Sequence, residues 1–205
     1  MIVIGVDIGQ VSDPTAIVVT EVGRPEKQHP DDRPEKQHLI RWIERVPLGT
    51  NYSVVVDRIA AIADQAAGFG HPTIVIDGTG VGRAIHDLLR SRTGASIRSI
   101  TFTAGAGEKQ VGPYSLKVPK RDLLAALEVV LQTKRVLAIP DCPLQADLNA
   151  ELHSVNFATG ANGHTTYDAA SGRHDDLVSA MSLAIYWGER RGGAEGFIEY
   201  WRSTA

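Results

Sequence analysis

Cysteine occurs once in the 205 residues, at Cys142. That excludes an intrachain disulfide and any zinc site built on several thiolates. The seven histidines are scattered and never take the His-Glu-x-x-His spacing of a helical zinc site. No apolar stretch reaches the roughly 18 residues a membrane helix needs. The chain opens directly on a strand-like run, without a basic-then-apolar leader. A soluble, cytoplasmic protein is the expectation. A basic excess is also missing: the net charge is −3. The average therefore does not advertise nucleic-acid binding, although a local basic patch can act against an acidic mean.

Hydrophobic residues make up 43% of the chain, enough for a core. The length predicts one domain, over residues 1–191, with a short tail at 192–205. Strands are expected at Ile2 to Val6, Thr15 to Val22, Leu39 to Val46, Thr73 to Ile76 and Ile97 to Phe102. Leu137–Ile139 reads as a short strand or loop edge, and a hairpin is expected around Phe157 and Thr165–Tyr167. Helices are expected at Tyr52 to Ala67, Gly82 to Arg92, Pro119 to Thr133, Leu144 to Ser154 and Asp175 to Arg190. Arg24–His29 reads Arg-Pro-Glu-Lys-Gln-His, and Arg33–His38 repeats it letter for letter. With almost no apolar side chains, residues 24–38 predict a solvated, mobile loop between the second and third strands, enlarged by tandem duplication.

Three strands in succession favour an antiparallel meander, and the later strand–helix–strand units favour right-handed parallel crossovers. The order predicts an α/β, ribonuclease-H-like fold: a mixed sheet of five or slightly more strands with helices on both faces. In it the first and fourth strands are parallel neighbours about 4.8 Å apart. Asp7 and Asp77 each close a β-branched run and precede or adjoin glycine, at strand ends where α/β sheets place their crevices. Gly9 and Gly78 are expected to keep that crevice open for a phosphate. The pair Asp175–Asp176 opens the last helix, whose first turn would complete an acidic pocket.

Such a pocket suits Mg²⁺ or Mn²⁺, hard cations that prefer carboxylate oxygens. Without metal the carboxylates would repel one another. Two ions about 3.5–4 Å apart are the recurring solution for phosphodiester hydrolysis. Asp7, Asp77, Asp175 and Asp176 are therefore the candidate catalytic and metal-holding residues. His174 is either a proton carrier beside the metal or merely a cap neighbour. Lys109, Lys117, Lys120 and Arg121 are the candidate DNA phosphate contacts, with Tyr114 available for a sugar or base. Arg90, Arg92 and Arg98 read as plain surface.

From Ile2 to about Tyr186 the chain resembles the nuclease domain of phage large terminases, in the RuvC-like branch of the ribonuclease-H superfamily. The resemblance rests on Gly5-Val6-Asp7-Ile8-Gly9 with Asp13-Pro14-Thr15-Ala16, on Ile76-Asp77-Gly78-Thr79-Gly80-Val81-Gly82, on Val118-Pro119-Lys120-Arg121 and on His174-Asp175-Asp176-Leu177. It implies a Mg²⁺- or Mn²⁺-dependent endonuclease that cuts concatemeric viral DNA during packaging. It further implies double-stranded DNA, a packaging ATPase, a small terminase and a portal as partners. Related resolvases carry another acidic residue one turn along the last helix, where this chain has Ser179. The Gly-x-x-x-x-Gly-Lys-Ser/Thr phosphate loop of a motor is missing. A separate nuclease subunit, an excised domain or a prophage remnant is the resulting expectation. A Holliday-junction resolvase would share the metal site. A degenerate nuclease would bind DNA without cutting it. An actin-like kinase would need a second such domain.

Overall fold

The computed structural model describes residues 1–9, 13–25, 35–80, 82–105, 107–159, 165–169 and 175–190, with the backbone alone at 82–83, 156–159 and 165–169. Strand β1 (Ile2–Asp7) lies inside the sheet and is buried from Ile2 to Val6. Such an unbroken apolar run is what a strand covered on both faces requires. Strand β2 (Thr15–Gly23) pairs antiparallel with β1 and with β3 (Gln37–Val46). After α1 (Tyr52–Ala66) and a 3-10 turn (Ala67–Phe69), β4 (Pro72–Asp77) returns parallel to β1. Helix α2 (Gly82–Arg90) leads to β5 (Ser96–Thr103), and a hairpin of β6 (Lys109–Gly112) and β7 (Ser115–Pro119) extends that side. Helix α3 (Lys120–Gln132) then crosses to β8 (Val136–Ala138), which lies parallel to β3. Helix α4 (Gln145–Ser154) precedes a separate hairpin of β9 (Val155–Thr159) and β10 (Thr165–Ala169). Helix α5 (Asp176–Arg190) ends the described chain.

The sheet therefore has eight strands in the order β6-β7-β5-β4-β1-β2-β3-β8. The expected five-stranded core is present, and β6, β7 and β8 enlarge it. The Gly-rich, basic stretch after β5, in which the sequence marks no strand, supplies β6 and β7. Side chains alternate across the sheet with a period of two. Ile2, Ile4, Val6, Ile74 and Ile76 pack with α1 and α2, whereas Val3 and Val75 pack with α5. Leu88 of α2 is exposed, although its helical spacing beside Ile85 predicts an inward face.

Helix α5 is buried on nearly every side and presses directly on β1. A Cβ built on Gly5 would stand 1.9 Å from the Ala180 carbonyl oxygen and 2.9 Å from the Ala184 nitrogen. These are backbone atoms, so no side-chain rotation relieves the clash. Gly5→Ala should cost about 1–3 kcal/mol as overpacking and should lower activity by displacing α5. Unchanged thermal melting in this variant would mean that α5 does not sit so close.

The duplicated segment needs a correction. Residues 26–34 lie outside the described ones, but the end of the second copy is not solvated. β3 begins at Gln37, and Lys36 and His38 are buried. The Lys36 ammonium donates to the carbonyls of Gly188 (2.7 Å) and Glu189, at the carboxyl end of α5. A cation there meets the negative end of the helix dipole and its free carbonyls. His38 Nε2 stands 2.9 Å from the Glu189 carboxylate, which also accepts from Arg135 at 3.0 Å. Gly23 and Gln37 are paired across the connection. Deleting residues 24–32 would leave Arg33–Lys36 as a four-residue link, within ordinary hairpin length. Thermal melting should then stay within about 4 °C of the parent.

Candidate metal centre

β1 and β4 run in step, with Val6 beside Ile76, so Asp7 and Asp77 close adjacent parallel strands side by side. Both occupy the odd-numbered face, toward α5. Asp175 arrives from the residue before α5. Lys120 arrives at the same edge because β7, parallel to β5, ends at Pro119 where α3 begins. Its ammonium donates to the Asp175 carboxylate at 2.8 Å.

The electrostatics record the crowding. Burial, then the charges of Asp77 and Asp175, push the Asp7 carboxyl up to about 7, with Lys120 opposing and Asp176 adding a smaller push. Burial likewise raises Asp77, against the Thr79 N–H, which donates to its Oδ1 at 2.8 Å, and against Lys120. One ammonium thus answers three carboxylates. That imbalance, together with an all-carboxylate donor set, fits a hard divalent cation. As placed, no three His, Cys, Asp or Glu side chains among the described residues stand close enough to chelate one ion. The fit therefore rests on donor type and charge, with Lys120 holding Asp175.

Asp176, the adjacent residue, faces different partners. Its two oxygens accept from Arg45 Nε (2.8 Å) and Nη2 (3.2 Å). Arg45 also binds Glu151, whose Oε2 accepts the backbone N–H groups of Leu177 (3.0 Å) and Val178 (3.1 Å). Glu151 therefore caps the amino end of α5 from another helix. Burial and the neighbouring Asp176 push its carboxyl up to about 7, against Arg45 and those two donors. Asp176 is engaged by Arg45 at the start of α5, whereas Asp175 faces Lys120. The sequence reading missed Arg45 and Glu151, and no local motif marks either one.

The four expected DNA contacts divide. Lys109 and Lys117 are exposed and paired across the β6–β7 hairpin. Neither has a carboxylate partner among the described residues, and like charges directly opposite oppose sheet pairing. Phosphates would relieve that repulsion. Reversing both to glutamate should weaken DNA binding and reduce the slope of log affinity against log salt by about 2. An unchanged slope would remove them from the interface. Lys120 stands at the acidic edge, where its ammonium meets Asp175. Arg121 lies 3.4 Å from Asp122 on the exposed side of α3. His174 lies outside the described residues.

A Cβ at Gly9 would meet the Asp13 carbonyl oxygen at 2.1 Å, and one at Gly78 the Ser99 hydroxyl at 2.2 Å, so both positions exclude a larger side chain as the neighbours stand. Gly9 also lines a cavity of about 290 Å³ with Asp13, Pro14 and Thr15. Ser179, one turn into α5, is buried and supplies no further acid.

No family model and no curated protein matches the chain. Solved structures do. The large terminase nuclease of thermophilic phage G20c with bound cobalt is 22% identical at a TM-score of 0.59, over 91% of this chain and 80% of that one. The Thermus phage P74-26 large terminase nuclease domain is 20% identical at 0.58, over 95% and 83%. A mutant nuclease domain of the large terminase subunit gp2 of bacterial virus Sf6, with manganese, is 15% identical at 0.59, over 90% and 87%. No helix among the described residues is long and apolar enough to cross a membrane. The chain has the ribonuclease-H-like fold of large terminase nuclease domains.

Proposed function

We propose that this chain is a divalent-metal-dependent endonuclease that hydrolyses DNA phosphodiester bonds, in the manner of a terminase cutting viral concatemers during packaging. The observation that supports it most is the pairing of Asp7 and Asp77 in step on adjacent strands, with Asp175 and Lys120 at the same edge. Asp7, Asp77 and Asp175 would hold Mg²⁺ or Mn²⁺, two ions in the active complex. When bound, such ions supply a nucleophilic water and neutralise charge at the attacking and leaving oxygens. The Thr79 N–H fixes one oxygen of Asp77 and leaves its other oxygen for the site. Lys120 orients Asp175 and adds positive charge where a phosphate would lie. Lys109 and Lys117 would grip flanking phosphates without reading sequence. Double-stranded DNA is the proposed substrate, and a packaging ATPase, a small terminase and a portal are the proposed partners, in the cytoplasm of a host cell.

Plasmid nicking with Mg²⁺, Mn²⁺ or EDTA tests this reading. Cleavage should require a divalent ion and should show little sequence preference. Nicking that persists undiminished in EDTA would exclude the mechanism.

A further inference from the structure

At the opposite end of the sheet a cavity of about 260 Å³ opens beside the start of β5, walled by His86 and Arg90 of α2 and by Thr93, Ser96, Arg98 and Tyr114. The register places it. Ser96 pairs with Thr73 and Ile100 with Asp77, so the cavity and the acidic edge are separated along β5 by about 13 Å. On its other side β5 is joined by β7 only from Ser99 onward, so Ser96–Arg98 have no strand over that edge among the described residues.

The arginine charges gathered there lack carboxylate partners among the described residues, although Arg98 donates to the Ile97 carbonyl at 2.9 Å and lies 5.6 Å from the centre of the Trp187 ring. The Arg90 and Arg98 guanidiniums lie 5.4 and 5.0 Å from the centre of the Tyr114 ring. Neither has a carboxylate within ion-pair distance among the described residues. Arg41, Arg45, Arg58, Arg92 and Arg135 each have one. His86 leaves Nε2 buried without a hydrogen-bond partner. The acid beside it, Asp87, faces its Nδ1 at 3.4 Å and is otherwise exposed. Two guanidiniums about one tyrosine, lining one cavity with no carboxylate among the described residues to pair them, concentrate positive charge there, and planar guanidinium forks match phosphate oxygens in geometry as well as charge.

We propose that this cavity is a phosphate-binding site, separate from the acidic edge, that takes the phosphate group of a nucleotide or of a nucleic-acid strand. Its volume is below the roughly 300–1,000 Å³ usual for a whole small-molecule ligand. That limits the enclosed part to a phosphate with little more than its sugar. Tyr114 already carries arginines, so it positions the guanidiniums and leaves the phosphate as the recognised group. The site does not depend on the nuclease reading, and each can fail without the other.

The test uses the ¹⁵N-labelled full chain in EDTA, titrated with inorganic phosphate, dAMP and a 12-nucleotide single strand while backbone amides are followed by NMR. Saturable shifts are expected at residues 86–98 and at Tyr114. In Arg90→Gln/Arg98→Gln the affinity should fall by about tenfold or more, the effect of losing charge-assisted hydrogen bonds. Arg90→Gln alone, on an exposed helix position, is the variant to use if the double variant folds poorly. Shifts with dAMP as strong as with the oligonucleotide would assign the site to free nucleotides. Binding of the oligonucleotide about tenfold tighter, and falling with salt, would assign it to a strand. No saturable shift with any of the three probes, or equal affinity in wild type and variants, overturns the proposal.

Discussion

Asp7→Asn should abolish metal-dependent nicking, slowing it about a thousandfold or more, equivalent to roughly 4 kcal/mol of transition-state stabilisation. The same substitution should make the metal-free protein more stable at pH 8. In the folded chain the Asp7 carboxyl is held up at about 7, against an ordinary value of 3.8. Below about pH 4 both folded and unfolded chains keep the proton, and the group's contribution to stability is fully present. Between about 4 and 7 the unfolded chain loses its proton first, and the contribution drains away as pH rises. Above 7 the folded state carries a crowded charge, and asparagine removes it. A rise of roughly 2–6 °C in melting temperature at pH 8 is expected, on the scale for a domain of this size. Adding Mg²⁺ should then stabilise wild type and leave Asp7→Asn unmoved, because only a ligand of the folded state raises stability. Equal nicking by the two proteins would remove Asp7 from the mechanism.

Arg45→Met carries the largest expected loss of stability. Its guanidinium is the shared counter-charge of Asp176 and Glu151, both buried. Removing one partner of a buried ion group costs about 3–5 kcal/mol, because the remaining charges stay uncompensated. The defect should grow with pH. Glu151 is already raised to about 7, so its own contribution is full below its ordinary 4.5 and is lost as pH rises toward 7. Without Arg45 the Glu151 carboxyl favours its neutral form still more, so the variant should approach wild type near pH 5 and fall furthest behind near pH 8. A pH-independent defect would point to lost packing by the arginine stem instead. Since the cluster seats the first turn of α5, the variant should also cleave more slowly by letting Asp175 wander.

The strands that position the site were legible because they are apolar runs. Ile2 to Val6 and Thr73 to Ile76 can be little else, and two aspartates at their ends mark one edge of a parallel pair. The β6–β7 hairpin was not legible. Lys109–Gly112 contains one apolar side chain and is largely exposed, so no alternation separates it from a loop. Lys36 and His38 look solvated as letters, and only the arrival of the α5 carboxyl end buries them. The two adjacent aspartates could not be told apart, although neighbouring residues at a helix start point about 100° apart. Asp175 turns toward Lys120 and the β1 edge, and Asp176 toward Arg45, which lies 131 positions away. Arg45 and Glu151 share no motif with it, and chain separation of that size leaves no local pattern. The similar solved structures agree on the fold, and the proposed ligand set rests on donor type, charge and the register of β1 and β4.

Soaking crystals of the wild-type chain in Mn²⁺ and recording anomalous scattering is the most direct measurement. A peak is expected about 2.0–2.3 Å from carboxylate oxygens of both Asp7 and Asp77, with Asp175 turned from Lys120 to join them. Manganese held only elsewhere on the surface, or none at these strand ends at millimolar concentration, would contradict a shared metal centre at the β1–β4 edge.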